Sequence, residues 1–82
     1  MTPAAFEPVT VAEWPRNSRE TMRVRLDTFQ GRFIIDCRAW FVGQDGELKP
    51  GRNGMTLAVR HLPALASAFD MAMKEAQRQG LE

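Results

Sequence analysis

At 82 residues, with 44% hydrophobic and 26% charged side chains, the chain has the size and mix of one small globular domain. A net charge of +1 gives no global pull on a polyanion, and no apolar run approaches the ~20 residues of a membrane span. A single cysteine, Cys37, excludes an intramolecular disulfide and a cysteine-based zinc cluster, and suits a reducing compartment.

In chain order, residues 1–8 read as a loose tail with two prolines, and residues 9–82 as the domain. Val9, Val11 and Glu13 alternate with Thr10, Ala12 and Trp14, which allows a short strand between Pro8 and Pro15. Prolines at both ends suit a sheet edge. Trp14 either covers that edge or packs in the core, and packing is the commoner fate. Arg16 to Thr21 is polar and reads as a turn. The start Met1-Thr2-Pro3-Ala4 lacks the basic-then-apolar layout of a signal peptide, so a cytoplasmic protein is expected, or a nuclear one if the source is eukaryotic.

Met22 to Phe29 and Arg32 to about Phe41 read as a hairpin closed at Gln30-Gly31. A two-residue loop pairs Phe29 with Arg32 and fixes the rest. Thr28 then faces Phe33, Leu26 faces Ile35, Val24 faces Cys37 and Met22 faces Ala39, all on an apolar side. The other side pairs Asp27 with Ile34, Arg25 with Asp36 and Arg23 with Arg38. A slip of one residue would mix the two sides. Asp45-Gly46 marks a second turn, Glu47 to Pro50 a short strand, Gly51 and Gly54 a further tight turn by way of positive φ, and Met55 to Leu57 another short strand.

A helix is predicted from about Arg60 or His61 to Gln79, with Pro63 in its first turn, Gly80 as the left-handed residue after it and Leu81 folding back. Asp70 and Lys74 form an i,i+4 pair. Leu62, Leu65, Phe69, Met73 and Ala76 make one apolar stripe. Ala64, Ala68, Met71 and Ala72 widen it beyond the roughly 100° that a helix needs to cover a sheet. The surplus calls for a second surface, most simply another copy of the chain.

The charge is unevenly placed. Arg16 to Arg60 holds nine basic and five acidic side chains, net +4, and the remainder two and five, net −3. Phe29 stands among arginines on the wet side of the hairpin, which suits stacking of unpaired bases. The bland alternative is a solvated strand face, and alternation alone leaves the two equal. Catalysis has little to build on. His61 is the single histidine, Asp36 lies among arginines rather than beside a second carboxylate, and Gly51-Arg52-Asn53-Gly54 lacks the spacing of a phosphate loop.

The most specific text is Phe29-Gln30-Gly31-Arg32, then Asp36-Cys37-Arg38-Ala39-Trp40-Phe41, then Gly46-Glu47-Leu48-Lys49-Pro50-Gly51-Arg52-Asn53-Gly54-Met55-Thr56-Leu57. In order and spacing this resembles the transcriptional coactivator family called positive cofactor four, whose domain binds single-stranded DNA. The match runs without gaps from about Val24 to about Leu65. The resemblance implies an α+β fold: a curved antiparallel four-stranded sheet followed by one C-terminal helix, dimerised through that helix. Leu65, Ala68, Phe69 and Ala72 are the expected interface. It implies binding of single-stranded DNA with little sequence preference, in transcription, replication or repair. The expected contacts are Arg32, Phe29, Arg38, Phe41, Lys49 and Arg52 at matched positions, with Arg23, Arg25, Gln30 and Asn53 beside them. Phe41 matches a stacking position, while its parity puts it on the apolar side.

Gln30 and Asn53 stand where the family has lysines, and each removes a phosphate partner. The Ser/Lys-rich tail of eukaryotic members is absent, which favours a compact bacterial or phage-type member, associated with the nucleoid if bacterial. The transcription machinery is a further expected partner. An RNA-binding or protein-interaction module on the same sheet is the alternative. No enzymatic activity, cofactor, metal or membrane association is expected.

Overall fold

The computed structural model describes residues 6–81. Four strands, β1 (Val9–Pro15), β2 (Glu20–Phe29), β3 (Arg32–Val42) and β4 (Leu48–Ala58), form one antiparallel sheet in the order β1-β2-β3-β4. A 3-10 turn, Val59–His61, leads into α1 (Leu62–Gln79). The expected α+β architecture is therefore present.

The central hairpin forms because its turn chemistry and its alternation agree. Gln30 and Gly31 both take positive φ, 51° and 77°, which is the geometry of a two-residue hairpin loop whose twist matches its strands. Phe29 pairs with Arg32, and the predicted register holds through Met22 opposite Ala39. It continues to Thr21 opposite Trp40 and Glu20 opposite Phe41. The two buried residues among those described, Ile35 at 4% exposure and Ala39 at 0%, both lie on β3 and on the apolar side.

Elsewhere the sequence reading needs correction. The two short strands around Gly51–Gly54 are one strand, β4, and neither glycine takes positive φ. Both are needed for close approach instead. A Cβ on Gly51 would stand 2.8 Å from the Ala39 carbonyl oxygen, and one on Gly54 would stand 2.5 Å from that of Cys37. The register steps from Arg38–Gly54 to Trp40–Pro50, so Gly51, Arg52 and Asn53 bulge opposite Ala39. Pro50 is tolerated because β4 is a sheet edge.

A second bulge, at Val11, breaks the simple alternation of β1. Val9, Ala12 and Trp14 pair with the apolar residues Leu26, Val24 and Met22, while Glu13 pairs with Arg23. Glu13 thus changes sides relative to the alternating pattern. Of the expected loose tail, residues 1–5 lie outside the described residues, and Phe6 packs edge-on against Phe33 with ring centroids 5.3 Å apart.

The loop after β3 follows its turn signals. Gly46 has φ 82°, the Gly43 amide donates to the Glu47 carbonyl at 2.8 Å, and the Asp45 carboxylate accepts from the Glu47 amide at 3.1 Å. The Glu47 amide, with the largest effect, and then Lys49 at 3.2 Å hold the Asp45 carboxyl below its ordinary range.

α1 ends as predicted. Gly80 takes φ 73°, its amide donates to the Gln77 carbonyl, and the Leu81 amide donates to the Ala76 carbonyl at 2.8 Å. The Asp70–Lys74 ion pair closes at 2.9 Å. Pro63 lies in the first turn, and the His61 side chain makes no capping bond. The helix meets the apolar side of the sheet only over its first turns. There Leu62, Leu65, Ala66 and Phe69 face Trp14, Val24, Ile35, Cys37 and Met55 around an apolar cleft of about 240 Å³. Beyond that the stripe is open. Phe69, Met71 and Met73 are more than half exposed, as are Val11 and Val42 on the strands.

Candidate nucleic-acid interface

The sheet side away from α1 gathers Arg23, Arg25, Asp27 and Phe29 from β2 with Arg32, Ile34, Asp36, Arg38 and Trp40 from β3. Strand alternation alone puts them there: they occupy every second position of a ten-residue and an eleven-residue strand. Glu13 joins from β1, and Thr56 from β4 opposite Asp36.

Phe29 stands at the hairpin end of this face, 61% exposed. Together with Gln30, Arg32, Ile34, Thr56, Leu57 and Ala58 it lines an open depression of about 380 Å³. An exposed ring beside a guanidinium offers a surface for stacking and a cation for phosphate.

The arginines divide by what holds them. Arg23 donates its Nε–H to the Glu13 carboxylate at 2.9 Å and lies over the Trp40 ring, 4.7 Å from the centroid. Arg25 lies over the same ring at 5.2 Å. Arg38 is bound to Asp36, and Lys49 to Asp45. Arg25, Arg32 and Arg52 have no carboxylate within ion-pair distance among the described residues. Their charge is therefore open to an anion. The Arg25 Nε–H and the Trp40 Nε1–H are both buried with no acceptor. The cation–π stack holds Arg25 over Trp40 without satisfying either donor.

The remaining predicted residues sit as follows. Gln30 occupies the first turn position. Arg52 and Asn53 are exposed in the β4 bulge, and Lys49 is exposed just before it, opposite Phe41. Phe41 shares the parity of Ala39 and Cys37, so it stands on the side that carries α1. It is 41% exposed, and its ring borders Gly51. Of the expected helix interface, Leu65 is half-buried against the sheet, and Ala68, Phe69 and Ala72 are exposed.

Sequence reasoning missed Trp40 on this face. The signal was available, since Trp40 shares the even parity of Arg38 and Asp36 and falls opposite Thr21. Cys37, on the other side, is half-buried. Burial pushes its thiol above the ordinary 9.0; Asp36 adds to the rise and Arg38 opposes it. Among the described residues no group of three or more His, Cys, Asp or Glu side chains is placed to hold a metal ion. No helix among them is long and apolar enough to cross a membrane.

A hairpin platform, a bulged edge strand and a C-terminal helix define a small sheet-platform domain with one basic, aromatic-bearing face. The model of the Transcriptional Coactivator p15 (PC4) family matches residues 16–68, more than half of the chain, and the chain belongs to that family. Among solved structures it is similar to a PC4 homologue from Burkholderia pseudomallei in two crystal forms. The orthorhombic form gives 24% identity and a TM-score of 0.72, over 87% of this chain and 97% of that one. The tetragonal form gives 22% identity and 0.71, over 82% and 98%. It is also similar to a bacteriophage T5 homologue of the eukaryotic coactivator, implicated in recombination-dependent DNA replication. That match has 19% identity and a TM-score of 0.68, over 87% of this chain and 80% of the phage chain. These likenesses bear out the fold.

Proposed function

We propose that this protein binds single-stranded DNA with little sequence preference, as a homodimer, and acts in transcription, replication or repair without enzymatic activity. The observation that carries the reading is the exposed Phe29 ring beside Arg32, on a face where Arg25 and Arg32 have no internal counter-ion. An unpaired base has a free π-face for Phe29, whereas duplex bases are stacked inward. Arg23, Gln30, Arg52 and Asn53 border the strand's path on this face; Lys49 and Phe41, paired on the α1 side, can meet the strand only where it passes round the sheet edge at the β4 bulge. Family membership supports a nucleic-acid role, and the T5 relative's part in DNA replication points the same way.

The dimer follows from the open helix. Phe69 and Met73, one turn apart on the same helix face, form an apolar surface that the chain's own sheet leaves uncovered. A second copy supplies the same stripe to itself, burying both, with Leu65, Ala68, Phe69 and Ala72 at the contact. Such a role on DNA goes with a cytoplasmic protein, beside the nucleoid if the source is bacterial, or a nuclear one if it is eukaryotic.

A titration against matched single-stranded, duplex and RNA oligonucleotides across a salt series tests the reading. Single-stranded DNA should bind more tightly than duplex of the same sequence. Equal affinity would leave only a charged patch, and preference for RNA would move the function to RNA binding.

A further inference from the structure

Arg38 is the most heavily bonded side chain of the basic face. Its Nε–H reaches both Asp36 carboxylate oxygens, at 3.2 and 3.3 Å. Nη2 donates to Asp36 Oδ1 at 3.0 Å and to Thr56 Oγ1 at 3.2 Å. Nη1 donates to the carbonyl oxygens of Gly51 at 3.1 Å and Arg52 at 3.4 Å. The Thr56 hydroxyl in turn donates to Asp36 Oδ1 at 2.7 Å. A guanidinium has five N–H donors on three nitrogens, and here all three nitrogens are engaged. The ion pair is sheltered, with side-chain exposures of 21% for Arg38 and 16% for Asp36.

The two carbonyls identify what this bonding is for. They belong to the bulge of β4, where Gly51, Arg52 and Asn53 stand opposite the single residue Ala39. A bulge leaves backbone groups that the neighbouring strand cannot pair, and such groups need another partner. Arg38 supplies it from the middle of β3, and Asp36 and Thr56 hold the guanidinium in place. A phosphate would have to displace one of these bonds to reach it.

We propose that Arg38 is a positioning residue: with Asp36 and Thr56 it pins the Gly51–Asn53 bulge, and so fixes Arg52 and Asn53 for the DNA strand, and it does not itself bind phosphate. This rests on the single-stranded DNA reading above only for its last step. The pin itself is a property of the free protein.

Arg38→Lys separates the two roles, because lysine keeps the charge and loses the planar fork. Hydrogen exchange of the free protein is measured at residues 51–54, and DNA affinity across a salt series for Arg38→Lys, Arg52→Ala and the double variant. The pin predicts faster exchange confined to 51–54. It also predicts several-fold weaker binding for Arg38→Lys, and a much smaller loss when Arg38→Lys is added to Arg52→Ala than when it is made alone. Wild-type exchange overturns the proposal, as do losses that simply add. If Arg38→Lys does not fold, Thr56→Val removes one link of the hub without touching charge. Exchange at 51–54 should still quicken, and an unchanged rate overturns the pin. A wild-type protein that ignores single-stranded DNA defeats the functional reading and leaves the exchange result standing.

Discussion

On one side of the sheet, Arg38 binds a carboxylate, a hydroxyl and two carbonyls, and Arg23 is held between Glu13 and Trp40. On the other side, Phe69 lies 57% exposed on a helix that touches the sheet only over its first turns. The basic face is built and internally braced in a single copy, while the apolar face is left incomplete. The two therefore need different completions. The basic face offers the exposed Phe29 ring and the guanidiniums without an internal counter-ion, Arg25, Arg32 and Arg52, to a ligand. The apolar face leaves Phe69 and Met73 open, and the proposed dimer is what would cover them.

The largest expected effect falls on the incomplete face. Phe69→Asp places a charge in the stripe that the proposed dimer buries, and an unpaired charge is poorly tolerated there. Sedimentation equilibrium should show wild-type dimer at micromolar concentration, and monomer or unfolded chain for the variant. A wild-type monomer would mean that the open stripe needs no second copy.

Next in size is a change to the brace. Gly54→Ala brings a Cβ to within 2.5 Å of the Cys37 carbonyl oxygen and 2.7 Å of the Arg38 Cα, both backbone atoms. β4 must shift, and overpacking of this kind costs about 1–3 kcal/mol. In a domain of this length that lowers the melting temperature by several degrees or more. Gly46→Ala meets no atom within 4 Å and is strained only by its φ of 82°, so it should cost less. Equal melting points for the two variants would contradict the close approach of β4 to β3.

These glycines also show where the sequence is readable. The hairpin register was legible because two independent signals agree, a positive-φ loop and an alternation that a slip would scramble. Gly51 and Gly54 were ambiguous because glycine serves both sharp turns and close contacts, and only the neighbouring strand decides. The Val11 bulge was hidden for a related reason: one extra residue reverses the alternation after it, and nothing in Val9-Thr10-Val11-Ala12 marks the spot. Arg38 reads from the sequence as a DNA contact, because the carbonyls it binds are 13 and 14 residues away in sequence. Trp40 was overlooked although its parity was plain.

Within the basic face, Phe29 and Arg32 separate stacking from charge. Phe29→Ala should leave the melting temperature unchanged, since the ring supports no core. It should weaken single-stranded DNA binding by about 1–3 kcal/mol, with the same dependence on salt. Arg32→Ala should instead make the slope of log K against log salt shallower by about 0.7. If both variants change the slope alike, or neither alters affinity, the strand does not lie on this face. A large fall in melting temperature for Phe29→Ala would make that ring part of the core.

The smallest effect returns to the apolar side and reports whether it is covered. Cys37 lines the cleft beneath α1, and burial there raises its thiol above 9.0, with Asp36 adding and Arg38 opposing. A thiol raised on folding favours the native state while it stays protonated. That contribution is present in full below pH 9 and is lost as pH rises through the folded value. This group therefore adds no pH dependence around neutrality, and the alkaline decline of the wild type should be shallower in Cys37→Ala. Alkylation by N-ethylmaleimide at pH 7 reads the same face kinetically, because it needs both thiolate and access. The wild type should react more slowly than a free thiol, and a folded Phe69→Asp monomer faster than the dimer. Equal rates in the two would mean that no partner helix lies over this cleft, and the proposed dimer would then have to close further along α1, around Met73 and Ala76.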